Sequence, residues 1–264
     1  MKKEDGSGFD PLTRCHAFSR RLAERRAQRV VPTRYGPVVL DDELPRVWYL
    51  NALLVDPGVR AHADDLVAEV DRVQSDAQLR HRKIAVDEGE YGASLEPHLR
   101  SLGWRIEKQL VMTYVAPGRQ VDTSSVVEVA RDALEPVWVE ETRLEPWGSS
   151  DETVRQLVAA RARTERAVAV QYFAVQVGDE IASYCELYSA GGVGQIENVG
   201  TRKQFRNRGL ASAVVTRGLE ESAKVGNDLT FLIADAEDLP KELYRRLGFA
   251  ETGLSWDLIR EPDR

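Results

Sequence analysis

Apolar residues recur at helical spacing over residues 11–30, where Cys15, Phe18 and Leu22 share one side and arginines fill most of the rest. Two short β-rich runs follow, 36–40 and 47–55, joined by DDELPR as in a hairpin. Helical spacing returns over 61–73, with Leu66, Val67, Val70 and Val73 on one face. A strand at 83–86, a helix at 95–102 and a strand at 104–115 complete the series. The polar stretch APGRQVDTSS, residues 116–125, carries both proline and glycine and reads as a link. A second series then runs through a strand at 126–129 and helices at 133–144 and 151–168, the latter capped by Ser149, Ser150 or Asp151. Strands at 172–177 and 181–188 flank a Gly-Asp turn. Next come a strand at 195–201, an eighteen-residue helical pattern ending at Gly226, a strand at 229–234 and a short helix at 240–247.

Both series close in the same way. HLRSLGW, beginning at His98, and LYRRLGF, beginning at Leu243, each give a helix, Leu-Gly-aromatic and a strand, at an offset of 145 residues. A chain of 264 residues exceeds one average domain. We therefore expect two units in tandem, 1–118 and 119–264, each mixing helices with strands.

Composition narrows the chemistry. No apolar run approaches eighteen residues, and MKKEDGSG lacks the apolar core of a secretory signal, so a cytoplasmic protein with no membrane span is expected. Cys15 and Cys185 are too few and too far apart for a disulfide framework or a metal site, and read as reduced packing residues. His16, His62, His81 and His98 all lie in the first half. The second half therefore has no Ser-His-Asp or Cys-His site and none of the common zinc sets, and no metal is expected. Of the net charge of −7, residues up to Arg119 hold 19 Lys and Arg against 18 Asp and Glu, and the rest hold 17 against 25. An acidic second half disfavours nucleic acid and suits a cationic amine, although ordinary solubility charge accounts for it equally well. Arg20, Arg21, Arg25, Arg26 and Arg29 read as a solvated helix face, because no aromatic residues interleave with them and Glu24 interrupts the run.

Residues 206–211, RNRGLA, stand between the 195–201 strand and the long helix. A strand leading through a glycine turn into a helix start makes an anion site, since the first N–H groups of a helix have no intrahelical partner. Arg202, Lys203, Arg206 and Arg208 add cationic groups, so a phosphate or pyrophosphate is the expected ligand.

The stretch ENVGTRKQFRNRGLASAVV, with ELYRRLGF some thirty residues later, closely resembles the GNAT superfamily of acyl-CoA-dependent N-acyltransferases. The family's Q/R-x-x-G-x-G/A pattern is met by Arg206, Gly209 and Ala211, while Lys203 stands where proline is frequent. The resemblance implies a GNAT fold in the second half, on a mixed α/β sheet, and a degenerate GNAT-like first half. There, Leu99 replaces the tyrosine and VDPGVRAHADD replaces the phosphate loop. It implies acetyl-CoA as cosubstrate and an amine acceptor, with the protein a monomer or homodimer. The backbone of Val199, Gly200 and Thr201 would hold pantetheine, and Arg206, Asn207, Arg208, Gly209, Leu210 and Ala211 would take the pyrophosphate. Tyr244 matches the family's general acid. Strand alternation places Glu197 and Val199 on one face, which makes Glu197 the candidate base; its alternative role is an ion pair with an arginine across the sheet. Glu186 is the second candidate. Trp138 and Trp147 are expected to line the acceptor site or pack the helical pair, and Asp238 to cap the 240–247 helix. The alternative to an N-acetyltransferase is a non-catalytic acyl-CoA-binding regulatory module.

Overall fold

The computed structural model describes residues 10–146, 148, 150–237 and 240–261. The first half supplies α1 (Pro11–Arg26), β1 (Arg29–Val31), β2 (Val38–Leu40), β3 (Ala52–Leu54), α2 (Ala63–Asp76), β4 (Arg82–Val86), α3 (Gly89–Ser101) and β5 (Arg105–Tyr114). The second supplies β6 (Val126–Val129), α4 (Arg131–Leu144), α5 (Asp151–Ala167), β7 (Ala169–Val177), β8 (Glu180–Ala190), β9 (Val193–Thr201), α6 (Leu210–Lys224), β10 (Leu229–Asp235), α7 (Pro240–Leu247) and β11 (Phe249–Arg260). Among the described residues no helix is long and apolar enough to cross a membrane.

Two local departures from periodicity have identifiable causes. The 47–55 run begins as a 3-10 turn, Trp48–Leu50, and becomes a strand only at Ala52. Buried Asn51 forces this turn, because its amide donates to the carbonyls of Leu44 and Val47 and accepts from the Asp41 N–H, all within 3.0 Å. Helix α3 starts at Gly89, six residues early, despite the low helix propensity of Gly89 and Gly92. Tyr91 and Leu95 are buried on its inner face, and that tertiary packing outweighs the local preference.

All eleven strands form one mixed sheet, ordered β1-β2-β3-β4-β11-β5-β10-β9-β8-β7-β6. Each half contributes a parallel pair, β3 with β4 and β9 with β10. Beside each pair lies the final strand of the other half: β11 against β4, and β5 against β10, all antiparallel. At the centre β5 and β11 pair with each other from Phe249–Tyr114 to Ile259–Arg105. The halves have exchanged their last strands.

The cores follow the exchange. Trp256 and Leu258 of β11 lie in the first-half core with Leu66, Val70, Ile84 and Leu99. Leu110 and Met112 of β5 lie in the second-half core with Phe173, Ile196, Val214 and Phe249. A Cβ at Gly92 would fall 2.2 Å from Trp256 Cδ1, so the glycine in α3 is what admits the borrowed indole. Helix α1 crosses as well. Its apolar side, Cys15, Phe18 and Leu22, packs on Tyr188, Val193, Leu229 and Phe231, so the helix covers second-half strands, while Arg21, Arg25 and Arg29 are exposed as expected and Arg20 and Arg26 are half-buried. Burying Trp256 and Leu258 is worth roughly 2 kcal/mol or more each. A chain of residues 1–118 alone, lacking them, should show no cooperative urea unfolding by tryptophan fluorescence, and co-expression with residues 119–264 should restore it. A sigmoidal transition from the fragment alone would refute this dependence.

Candidate active site

Strands β9 and β10 pair over four positions, from Val193–Leu229 to Ile196–Leu232, and then part. Just past the last pair, β9 bulges. Glu197 stands opposite Glu186 and Gly200 opposite Tyr184, so Asn198 and Val199 together face the single residue Cys185, with Asn198 at φ 51. The bulge overturns the expected alternation. Val199 packs on the α6 side with Ile196, while Glu197 turns to the other side of the sheet.

On the α6 side, a 3-10 turn at Lys203–Phe205 leads to Asn207 at φ 62 and Gly209 at φ 77. Gly209 is the N-cap of α6, and among the described residues no side chain caps that helix. The first N–H bonded back along the chain is that of Ala213, to the Gly209 carbonyl at 3.1 Å. The N–H groups of Leu210 and Ala211 therefore belong to the unpaired first turn. A Cβ built on Gly209 meets nothing within 4 Å, so the space before the turn is open. Arg206 and Arg208 flank it, exposed and held by bonds to the Thr201 and Gln204 carbonyls at 3.1 and 3.3 Å. Uncapped N–H groups between two guanidinium groups fit a pyrophosphate. Arg202 does not join them: its guanidinium is committed to Glu140 and Glu180 at 2.6 and 2.7 Å. In the first half, helix α2 carries Asp64 and Asp65 in its first turn, where carboxylates repel an incoming phosphate.

The opposite face of the sheet holds a cavity of about 600 Å³ beneath α1 and α5, open to solvent on one side. Arg26 and Tyr49 reach it from the first half, and Trp138, Arg161, Gln195 and Glu197 from the second. Asn198 and Ile233, at the parting of β9 and β10, also line it. Glu186 is 1% exposed, ion-paired to Arg161, and accepts from the Tyr188 hydroxyl at 2.6 Å. Its oxygens are thus committed, which weakens it as a base. Glu197 accepts a bond from the Gln195 amide. Burial pushes the Glu197 carboxyl up to about 7; the Glu186 carboxylate adds to the rise, and Arg26, Gln195 and the Asn198 N–H offset part of it. A carboxyl poised near neutrality and facing a cavity suits proton abstraction.

Trp138 is 2% exposed, packs with Leu134 and Tyr172, and lines the cavity with the Arg161 guanidinium 3.7 Å above its ring. Ser150 caps α5 by accepting from the Thr153 N–H. Trp147, Ser149 and Asp238 lie outside the described residues. Tyr244 is 8% exposed on α7, edge-on to Phe249 with centroids 6.1 Å apart, in the core on the α6 side. The structure therefore sets Tyr244 and Glu197 on opposite faces, with the gap between β9 and β10 separating them. Sequence reasoning missed Arg26, Tyr49 and Gln195 as cavity residues. Gln195 was findable, since it precedes Glu197 by two positions on an unbulged stretch; Tyr49 and Arg26 arrive only through the fold.

Residues 132–249 match the acetyltransferase (GNAT) family. Solved structures share the fold at low identity. A GCN5-related N-acetyltransferase from Kribbella flavida aligns at 18% identity over 98% of both chains, with a TM-score of 0.61. A conserved protein of unknown function from Staphylococcus epidermidis aligns at 14% identity over 90% of this chain and 95% of that one, with a TM-score of 0.68. A tandem GNAT protein from the clavulanic acid biosynthesis pathway aligns at 14% identity over 80% and 74%, with a TM-score of 0.52. No curated protein matches the chain.

Because the folded state raises the Glu197 pKa above the ordinary carboxylate value, it favours the protonated form. That contribution to stability is complete below about pH 4.3, falls as pH rises, and is gone above about 7. Between pH 5 and 8 the wild type should therefore lose more stability than Glu197→Gln, read as the shift in urea midpoint. Equal shifts in the two proteins would refute the assignment.

Proposed function

We propose that this chain, whose residues 132–249 form a domain of the acetyltransferase (GNAT) family, transfers an acetyl group from acetyl-CoA to a primary amine. The observation that carries this reading is the parting of β9 and β10 between an uncapped helix start on one face and a near-neutral carboxyl in a cavity on the other. Residues 1–118 are then a GNAT-like unit without an anion site of its own, and residues 119–264 the transferase unit.

Acetyl-CoA, when bound, supplies the activated acetyl thioester. Leu210 and Ala211 N–H groups with Arg206, Asn207, Arg208 and Gly209 would take its pyrophosphate. Beyond Ile196 the β10-facing edge of β9 is unpaired, so the backbone of Val199, Gly200 and Thr201 can hold pantetheine in the manner of an added strand. Glu197, in its carboxylate form, takes the proton that makes an ammonium into a nucleophilic amine. The N–C bond forms as the C–S bond breaks, the nitrogen's second proton passes to solvent, and the Tyr244 hydroxyl gives a proton to the departing sulfur. Both side chains then return to their starting states by exchange with solvent.

Saturating acetyl-CoA at about 100 times its dissociation constant should stabilise the protein by roughly 2.7 kcal/mol, a rise of several degrees in Tm. Gly209→Ala places a Cβ before the loop and should abolish that rise. Tyr244→Phe should keep the rise yet lower kcat on the order of 100-fold to 10,000-fold in a thiol-release assay. Absence of any rise in the wild type would remove the cofactor. A rise with no thiol release across a broad amine panel would leave a non-catalytic acyl-CoA-binding regulatory module.

A further inference from the structure

The charges that line the cavity are mostly matched. Arg161 pairs with Glu186, Lys83 with Asp257 at 2.8 Å, and Arg20 with Asp56. Asp87, which follows β4, faces Arg20 and His16 at a position four strands from β9. Ser19 Oγ, Trp138 Nε1 and Trp256 Nε1 of the lining have no hydrogen-bond partner among the described residues, and of the groups that act on Glu197, Arg26 and Gln195 each keep an unmatched atom. Arg26 lies over the Tyr49 ring at 5.1 Å, and its buried Nε has no hydrogen-bond partner among the described residues. Gln195, 4% exposed, donates its amide to Glu197, which leaves its buried Oε1 without a partner as well.

An unpartnered donor on a permanent cation and an unpartnered acceptor beside a carboxyl are each costly to bury. A ligand that satisfies both carries an N–H at one end and an anion at the other. We propose that the acceptor is a free amino acid, its amine donating to Gln195 Oε1 and Glu197 and its carboxylate accepting from Arg26 Nε. This rests on the transferase reading above and specifies its substrate class. Neutral overall as a zwitterion, such an acceptor matches a site whose two free ends, Arg26 and Glu197, are of opposite charge. A cavity of about 600 Å³ leaves space for the amino-acid side chain. Because Arg26 belongs to α1, the first half would take part in choosing the acceptor while the second carries out the transfer.

The test uses the full-length protein, acetyl-CoA and matched pairs of acceptors: leucine with isopentylamine, phenylalanine with phenethylamine, and histidine with histamine, followed by thiol release. For at least one pair the amino acid should exceed its decarboxylated partner on the order of 100-fold in kcat/KM, since a site built to bond a polar group rejects the analogue lacking it. Arg26→Met should erase that preference, any loss of rate from a less ionised Glu197 falling equally on the amino acid and its decarboxylated partner, and Arg26→Lys should restore part of the preference. In both variants the acetyl-CoA-induced rise in Tm should match the wild type, showing that the second half is intact. Thiol release with each amine as good as its amino acid, or a preference that survives Arg26→Met, would overturn this inference alone. Absence of thiol release with every member of the panel would overturn it together with the transferase reading.

Discussion

The central antiparallel ladder between β5 and β11 is the constraint on which the rest of the molecule depends. Each strand is the last of its own half, and each completes the sheet and core of the other. A pair of strands exchanged in this way joins two cores that could otherwise have been neighbours on a flexible link. It also fixes what can reach the second half's face: with the sheet continuous, α1 lies across it and brings Arg26 over the cavity, while the buried Asn51 turn sets Tyr49 beside it.

Chemistry is divided between the two faces by one extra residue. The bulge at Asn198 sends Val199 towards α6 and leaves Glu197 in the cavity. The uncapped start of α6 and Tyr244 stand on one side, the base candidate on the other, and the parted strands lie between them. Across the β8–β9 ladder, the carboxylates of Glu186 and Glu197 are register partners, an unfavourable arrangement in itself. Arg161 and Tyr188 resolve it by engaging Glu186, and Glu197 is left near neutrality with the Gln195 amide and the Asn198 N–H.

The two halves differ by small local changes at corresponding helix starts. Both contain a parallel strand pair joined by a helix, β3-α2-β4 and β9-α6-β10. In the second, a left-handed glycine and an uncapped first turn present bare N–H groups; in the first, two aspartates occupy the corresponding positive end. The same fold thus keeps its packing while only one helix start stays receptive to an anion.

The sequence by itself determined most of the elements, the repeat and the position of the glycine turn before α6, because these depend on contacts within a few residues. Helical and strand periods, a Gly209 able to adopt positive φ and the Leu-Gly-aromatic endings are all local properties. It also pointed to Glu197, but for a face that strict alternation misassigned, since a bulge is decided by how β8 and β9 pair and not by β9 alone. Tyr244 matched a family position, yet its burial beside Phe249 on the opposite face from Glu197 was visible only in three dimensions. The arginines of α1 looked like a solvated surface because nothing in their spacing reveals what lies across from them. Only the tertiary structure decided that the halves exchange strands and that Arg26 meets Glu197 over one cavity. Those contacts join residues more than a hundred positions apart, and their geometry comes from packing the whole sheet.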